Sequence, residues 1–280
     1  MVVSVVSKAI LLAVALMLSP TIQAAPPRVV SINLCTDQLV MLLADQQQII
    51  GLSTLSRDAA GSVFHETAQR FTQVDPVAEQ LLPLDSDVVV TGPYTSRYTL
   101  ALLGELGIRV ETLPVATSVD EMLDNVLRMG ELLEREQEAA KVINEIRRRL
   151  VAIEKKVSAF SGITPRAAVF DTNGYTVGRE SVRGEILALA GWLNVAEELG
   201  IESYGVLGLE QLITLKPQAL IESPYSEGTY SRGQMLSSHP AIRASGLDPL
   251  IIRVPSSQTI CAGPWTVDVI EQLLKAREML

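Results

Sequence analysis

One phrase occurs twice in this chain. Glu79 to Tyr94 reads EQLLPLDSDVVVTGPY, and Glu210 to Tyr225, 131 residues on, reads EQLITLKPQALIESPY. The copies share Glu-Gln-Leu, a further Leu and a closing Pro-Tyr, with an apolar triplet in the same slots. Such a repeat restricts a 280-residue chain to folds that contain one helix-to-strand unit twice. The phrase is also a common passage from helix to strand, so the surrounding pattern has to decide.

That pattern alternates. Arg28 to Leu34 is a short β-branched apolar run that predicts a buried strand, and the segment from Cys35 to Asp45 predicts a helix capped by Thr36 or Asp37. Strand, short helix and strand follow through QQIIGLS, AEQLLPL and SDVVVTG. A helix stopped by Gly107 and a strand closed by Pro114 complete the unit. After Pro114 the alternation stops. From Ser118 to Phe160 there is no Pro, and Gly130 is the sole Gly. Ser118 and Glu121 fit a capping box. The segment predicts one helix to about Leu133 and a longer one over 136–158, roughly 35 Å at 1.5 Å per residue. Its apolar positions keep no strict heptad, so a surface helix joining two lobes is expected rather than a coiled coil. A second alternation then runs through RAAVFDT, SVRGEILALAGW, GLEQLITLKP, QALIES, GLDPLIIRVP and the terminal TVDVIEQLLKAREML. The fold class expected is α/β, two similar lobes with a ligand cleft between them. The expected divisions are 1–24 leader, 25–117 first lobe, 118–160 linking helices and 161–280 second lobe.

Composition narrows the function. The formal charge of −9 argues against nucleic acid, because phosphate binding needs clustered Lys and Arg. Two His and two Cys argue against a His-rich zinc site and a disulfide-dense small fold. His65 and His239 are expected at the surface, and no metal-ligand set is predicted. Lys8 followed by AILLAVALML and SPTIQAAPP reads as a secretory signal peptide cut near Ala24 or Ala25. Its apolar run is too short to cross a bilayer, which takes about 20 residues. Loss of Lys8 with the leader takes the formal charge from −9 to −10. The chain has no Gly-x-Ser-x-Gly elbow, Gly-rich phosphate loop or Cys-x-x-Cys, so it is not expected to be an enzyme. A Cys-dependent enzyme built on Cys35 is the alternative from a different class.

RVVSINLCTDQLVMLLA, AEQLLPLDSDVVV, LEQLITLKPQALI and TVGRESVRGEILALAGWLNVAEE, with the long helix between them, resemble the periplasmic substrate-binding proteins of ABC importers for ferric siderophores, cobalamin and haem. The resemblance covers essentially the whole mature chain. It implies two α/β lobes joined by a long helix and a shallow cleft for a metal chelate, either a ferric siderophore or a corrinoid, with haem as the alternative. It also implies a periplasmic monomer with no cofactor of its own, and a permease dimer in the inner membrane as partner. In the family, a Glu at this point of each lobe docks on permease arginines; the matching residues are Glu79 and Glu210.

Ligands of α/β sheets gather at the carboxyl ends of strands. The strand-end loops offer Cys35, Thr36, Arg57, Tyr94, Arg97, Tyr175, Arg179, Tyr225, Arg232, Cys261 and Trp265 as cleft candidates. Aromatic faces and guanidinium groups suit a large, flat, partly anionic chelate. Both cysteines are expected to face the cleft, either bonded to each other or as free thiols, with chelate contact as a third possibility.

Overall fold

A computed structural model describes residues 25–225 and 233–280. The expected leader and Arg232 lie outside the described residues. No helix among them is long and apolar enough to cross a membrane.

The first sheet contains β1 (Val29–Ser31), β2 (Ile49–Ser53), β3 (Gln73–Val74), β4 (Val88–Thr91) and β5 (Val110–Thr112), all parallel in the order β3-β2-β1-β4-β5. Its helices are α1 (Leu34–Leu43), α2 (His65–Ala68), α3 (Ala78–Leu81) and α4 (Arg97–Glu105). Two linking helices follow, α5 (Val119–Leu132) and α6 (Glu136–Ala159). The second sheet takes β6 (Arg166–Val169), β8 (Leu193–Asn194), β10 (Ala219–Glu222) and β11 (Leu250–Arg253), parallel in the order β11-β10-β6-β8. A separate antiparallel pair joins β7 (Tyr175–Val177) to β9 (Tyr204–Val206). The remaining helices are α7 (Val182–Leu189), α8 (Leu209–Leu215), α9 (Pro240–Ala244) and α10 (Thr266–Arg277).

Strand periodicity builds three cores. Val29, Val88, Val90, Ala167, Val169, Ala219 and Ile221 point into one continuous cluster that also takes residues of α1, α5, α6, α7 and α10. The alternate residues point the other way. Val30 and Val89 pack with Leu81 and Leu103 on the first lobe, and Ala168 and Leu220 pack with Leu207 and Leu212 on the second. The two sheets therefore share an apolar core through the linking helices.

The helix over 136–158 expected from sequence forms over Glu136–Ala159. Its sequence is charged outside and apolar at Ala139, Ile143, Ile146 and Ile153, which are buried. Gly130 lets α5 meet it, because a Cβ there would sit 2.5 Å from that of Ala139. Arg135 ties the start of α6 to the first lobe through the Leu43 carbonyl and Asp45, whereas Arg149 reaches Asp268 and Glu271 of α10 in the second. Ser118 caps α5 as predicted, accepting from the Glu121 N–H. The Glu121 carboxylate accepts from the N–H and hydroxyl of Thr117 rather than from the cap itself. One cap differs from expectation. The N-cap of α1 is Asn33, whose side chain accepts from the N–H groups of Cys35 and Thr36. Thr36 and Asp37 are drawn inside the helix because their side chains bond elsewhere, Thr36 to Ser31 and the Asn33 carbonyl, Asp37 to Ser53.

The repeated phrase occupies equivalent places. Leu81 and Leu212 are buried, 1% and 0% exposed, each anchoring its own outer core. Gln80 and Gln211 turn back to accept from the N–H of Asp75 and Gly208. Six residues after each Glu the chain takes a left-handed conformation, Asp85 at φ 48° and Lys216 at φ 49°. An arginine at the start of the first strand region of each lobe meets the end of the phrase's helical segment: Arg28, just before β1, donates to the Leu84 carbonyl, and Arg166, the first residue of β6, to that of Leu215.

Candidate functional site

The parallel strands of both sheets direct their carboxyl ends at one cavity of about 540 Å³, a volume in the range of small-molecule sites. The first lobe supplies Asn33 to Thr36 after β1, Gly92 to Tyr94 after β4, and Leu113 to Ala116 after β5. The second supplies Asp171 after β6, Ser223 and Tyr225 after β10, and Ser256 and Thr259 to Ala262 after β11. The β7–β9 pair adds Tyr175 and Tyr204, whose rings stack at 6.2 Å between centroids and 23° between planes.

Both copies of the repeat end at this cavity, through Tyr94 and Tyr225. Tyr94 is 87% exposed. Tyr225 donates its hydroxyl across the cleft to the carboxylate of Asp58. That bond, with some burial, pushes the Tyr225 phenol upward, and burial does the same for Tyr175. Both phenols thus face the cavity as protonated hydrogen-bonding groups. Cys35 and Cys261 form a disulfide, with 5.3 Å between their Cα atoms, and both line the cavity. Of the alternatives open at the level of sequence, the structure takes the bond.

Six candidates therefore meet at the cavity: Cys35, Thr36, Tyr94, Tyr175, Tyr225 and Cys261. Four described candidates do not line it. Arg57 turns back to the carbonyls of Ala68, Gln69 and Phe71 and holds its own loop together. Arg97 begins α4 with its side chain exposed, and Arg179 is exposed beside Glu202, 3.8 Å away. Trp265 is 6% exposed; its indole N–H donates to the Cys261 carbonyl and its ring meets Phe64 edge-on. It supports the disulfide loop from behind. Neither His65, whose Nδ1 faces the Ser62 carbonyl, nor His239, which caps α9, lines the cavity.

Arg183, Asp171, Asp58 and Tyr204 were not among the sequence candidates. Arg183 Nη1 donates to Asp171 Oδ2 at 2.5 Å with both side chains 14% exposed, and Asp171 also accepts from the Ser223 N–H. Arg183 stands in the first turn of α7, where a cation opposes the helix dipole. That misplacement was a readable signal that the guanidinium has a buried partner. The first turn of α7 seats against β7 because residue 184 is Gly: a Cβ there would lie 2.0 Å from the Gly178 carbonyl oxygen. Tyr204 carried no such signal, since its partner is 29 residues away by number and joined only through the antiparallel pair.

Comparison with known proteins gives concordant results. The family model described as periplasmic binding protein matches residues 29–244. A cobalamin-binding protein of Halobacterium salinarum is 26% identical over 208 residues, covering 72% of this chain and 55% of that protein. The chain thus spans about half the length of the curated relatives it matches. Among solved structures, the periplasmic heme binding protein HutB of Vibrio cholerae superposes with a TM-score of 0.75 at 18% identity, over 89% of this chain and 98% of that one. A periplasmic heme binding protein from Pseudomonas aeruginosa gives 0.73 at 23% identity over 90% and 92%. The periplasmic vitamin B12 binding protein BtuF of Vibrio cholerae gives 0.66 at 16% identity over 91% and 97%.

Proposed function

The chain belongs to the periplasmic binding protein family, and from that premise we propose that it is the substrate-binding component of an ABC importer, capturing a metal chelate between its lobes and delivering it to a permease dimer in the inner membrane. The observation that carries this reading is a single cavity walled by strand ends of both lobes and faced by four tyrosines. Flat aromatic faces and hydrogen-bonding phenols suit the periphery of a macrocyclic chelate. A bare ion is a poor match, because no His lines the cavity, and among the described residues no three His, Cys, Asp or Glu are grouped to hold a metal.

The charge of the cavity bears on the chelate. Among the described residues, its two ionised groups, Asp171 and Arg183, neutralise each other. The polar groups around them are neutral, including Asn33, Asn125, Ser181 and Thr259. Such a surface favours an electroneutral, amide-bearing corrinoid over a highly anionic ferric siderophore, which needs cationic partners. The similarity to a cobalamin-binding protein points the same way. Haem is the second reading, favoured by the well-exposed Tyr94 at the cavity, since a phenolate can ligate haem iron.

Glu79 and Glu210 are the proposed contacts to the permease. Their neighbours Gln and Leu do the structural work of the repeated phrase. The two carboxylates are exposed in the first turns of α3 and α8 and join no ion pair among the described residues. Helix α3 follows the carboxyl end of the parallel strand β3. The entry to α8 is held beside the segment that leaves the carboxyl end of β6, with the Leu207 N–H donating to the Gly174 carbonyl, so both first turns lie on the cleft side of the molecule. Two carboxylates, one per lobe, suit a two-fold partner bearing guanidinium groups.

Titration of the mature protein with cyanocobalamin, ferric haem, a ferric tris-catecholate and free zinc, manganese and iron tests the reading. Submicromolar binding of one chelate is expected. Tight binding of a bare ion, with no chelate bound, would overturn it.

A further inference from the structure

The chain passes between the lobes through α5 and α6, leaving the first sheet after β5. The Cys35–Cys261 disulfide is a second covalent crossing, and it lies elsewhere in the cleft. Cys35 follows the central strand β1, while Cys261 follows β11, at the edge of the second sheet. Two further ties join the same neighbourhood. Ser256 Oγ donates to the Ala60 carbonyl at 2.6 Å, and the Tyr225 hydroxyl donates to Asp58. In sheet order, these contacts come from the β1–β2 side of the first lobe and the β10–β11 side of the second. Tyr94, Tyr175 and Tyr204 follow or belong to β4, β7 and β9 and take no part in them; Tyr94 and Tyr204 remain 87% and 59% exposed. Among the described residues, the cleft is thus stitched on one side and open on the other. The stitch is also wall: both cysteines line the cavity, Cys261 nearly buried and Cys35 half-buried.

We propose that the Cys35–Cys261 disulfide is a specificity-determining element of the cleft, which fixes the separation of the lobes and forms part of the surface the ligand touches. The proposal rests on the reading of the cavity as a chelate site. Two covalent crossings at different places restrict both hinging and twisting, so the cavity keeps one width, and ligands are selected by fit to a preformed gap. Entry is from the side of Tyr94 and Tyr204. Opening the bond releases the stitched side, which widens the range of gaps and weakens selection.

Two readouts test this on the C35S/C261S variant and on the native protein reduced below its melting temperature by a water-soluble phosphine. The first needs no ligand. Spin labels on non-natural residues replacing the exposed Glu105 and Lys275, one per lobe, report the inter-lobe distance distribution. It is expected to broaden when the bond is absent and to narrow again when the reduced native protein is reoxidised. An unchanged width overturns the proposal, whatever the protein binds. The second readout is the ratio of Kd values for cyanocobalamin and ferric haem, which differ in bulk. With the bond open, the tighter Kd is expected to weaken about tenfold or more and the ratio to contract. Unchanged Kd values also overturn the proposal. If the native protein binds neither probe nor the ferric tris-catecholate, the chelate-receptor reading is what fails, and the distance distribution still decides whether the bond sets the gap.

Discussion

Helices α1 and α7 open the two lobes in the same way and finish differently. Each follows the first strand-end region of its lobe and is capped by a side chain, Asn33 in one and Ser181 in the other, that accepts from N–H groups of the first turn. Two residues past the cap, each helix turns a side chain to the cavity: Cys35 from α1, Arg183 from α7. Four residues past the cap, each has an acid held by a backbone N–H of a neighbouring segment. Asp37 accepts from Ser53, and Glu185 accepts from Val119 at the start of α5. Burial is the leading cause that raises both carboxyls, Asp37 to about 7. The framework of the helix start is repeated, while the residue offered to the cleft is not. Cys35 crosses to the other lobe, whereas Arg183 is neutralised within its own by Asp171. A duplicated scaffold can thus carry two unlike half-sites, and the difference between them makes a site for an asymmetric ligand.

Removing the crossing should have the largest effect. The bond joins residues 226 apart, and a chain-entropy account of so long a loop gives about 5 kcal/mol. Urea unfolding of C35S/C261S is expected to show a loss of several kcal/mol. A loss below about 1 kcal/mol would mean that the shared core alone holds the lobes together.

The repeat predicts equal losses at equivalent core positions. Leu81→Ala and Leu212→Ala each empty a fully packed site and should cost about 2–5 kcal/mol. If one proves costly and the other neutral, the two outer cores are not equivalent.

The paired acids predict a graded pH dependence. A carboxyl raised in the folded state binds more protons there than in the unfolded chain, so stability is full below the unfolded value and declines as pH rises through the folded one. For Asp37 that window runs from about 3.8 to about 7. Asp37→Asn should flatten the decline measured by denaturant midpoint against pH. Glu185→Gln should flatten it less, because Glu185 is only half-buried. An equal effect at both sites would remove the distinction drawn from burial.

The exposed glutamates should barely alter stability. Glu79→Lys and Glu210→Lys are expected to stay within about 0.5 kcal/mol of the parent and to bind ligand normally. Uptake in cells should fall for each and further for the double variant, because like charges meet at the permease. Normal uptake by the double variant would leave both residues with only a helix-dipole role.

Much of this framework was legible in the sequence because apolar periodicity reports which side of a strand or helix is covered. The linking helix and the two copies of the Glu-Gln-Leu unit are read that way. The cleft was legible by loop rather than by side chain. Strand ends located the regions, but whether a side chain turns inward depends on partners that local sequence does not show. Arg57 is claimed by three carbonyls of its own loop, and Trp265 by a carbonyl and a neighbouring ring. The β7–β9 pair brings Tyr175 and Tyr204 together across 29 residues, and the disulfide joins residues even further apart. Those contacts are set by lobe packing, which no local pattern encodes.

The central claim is that one chelate sits between the lobes and touches both. A crystal structure of the mature protein grown with the chelate it binds tests it most directly. The account predicts a single molecule in the cavity, in contact with Tyr94 and the Cys35 region of the first lobe and with Tyr175 and Tyr225 of the second. A ligand held by one lobe alone, or seated outside the cavity with the Cys35–Cys261 wall untouched, would contradict it.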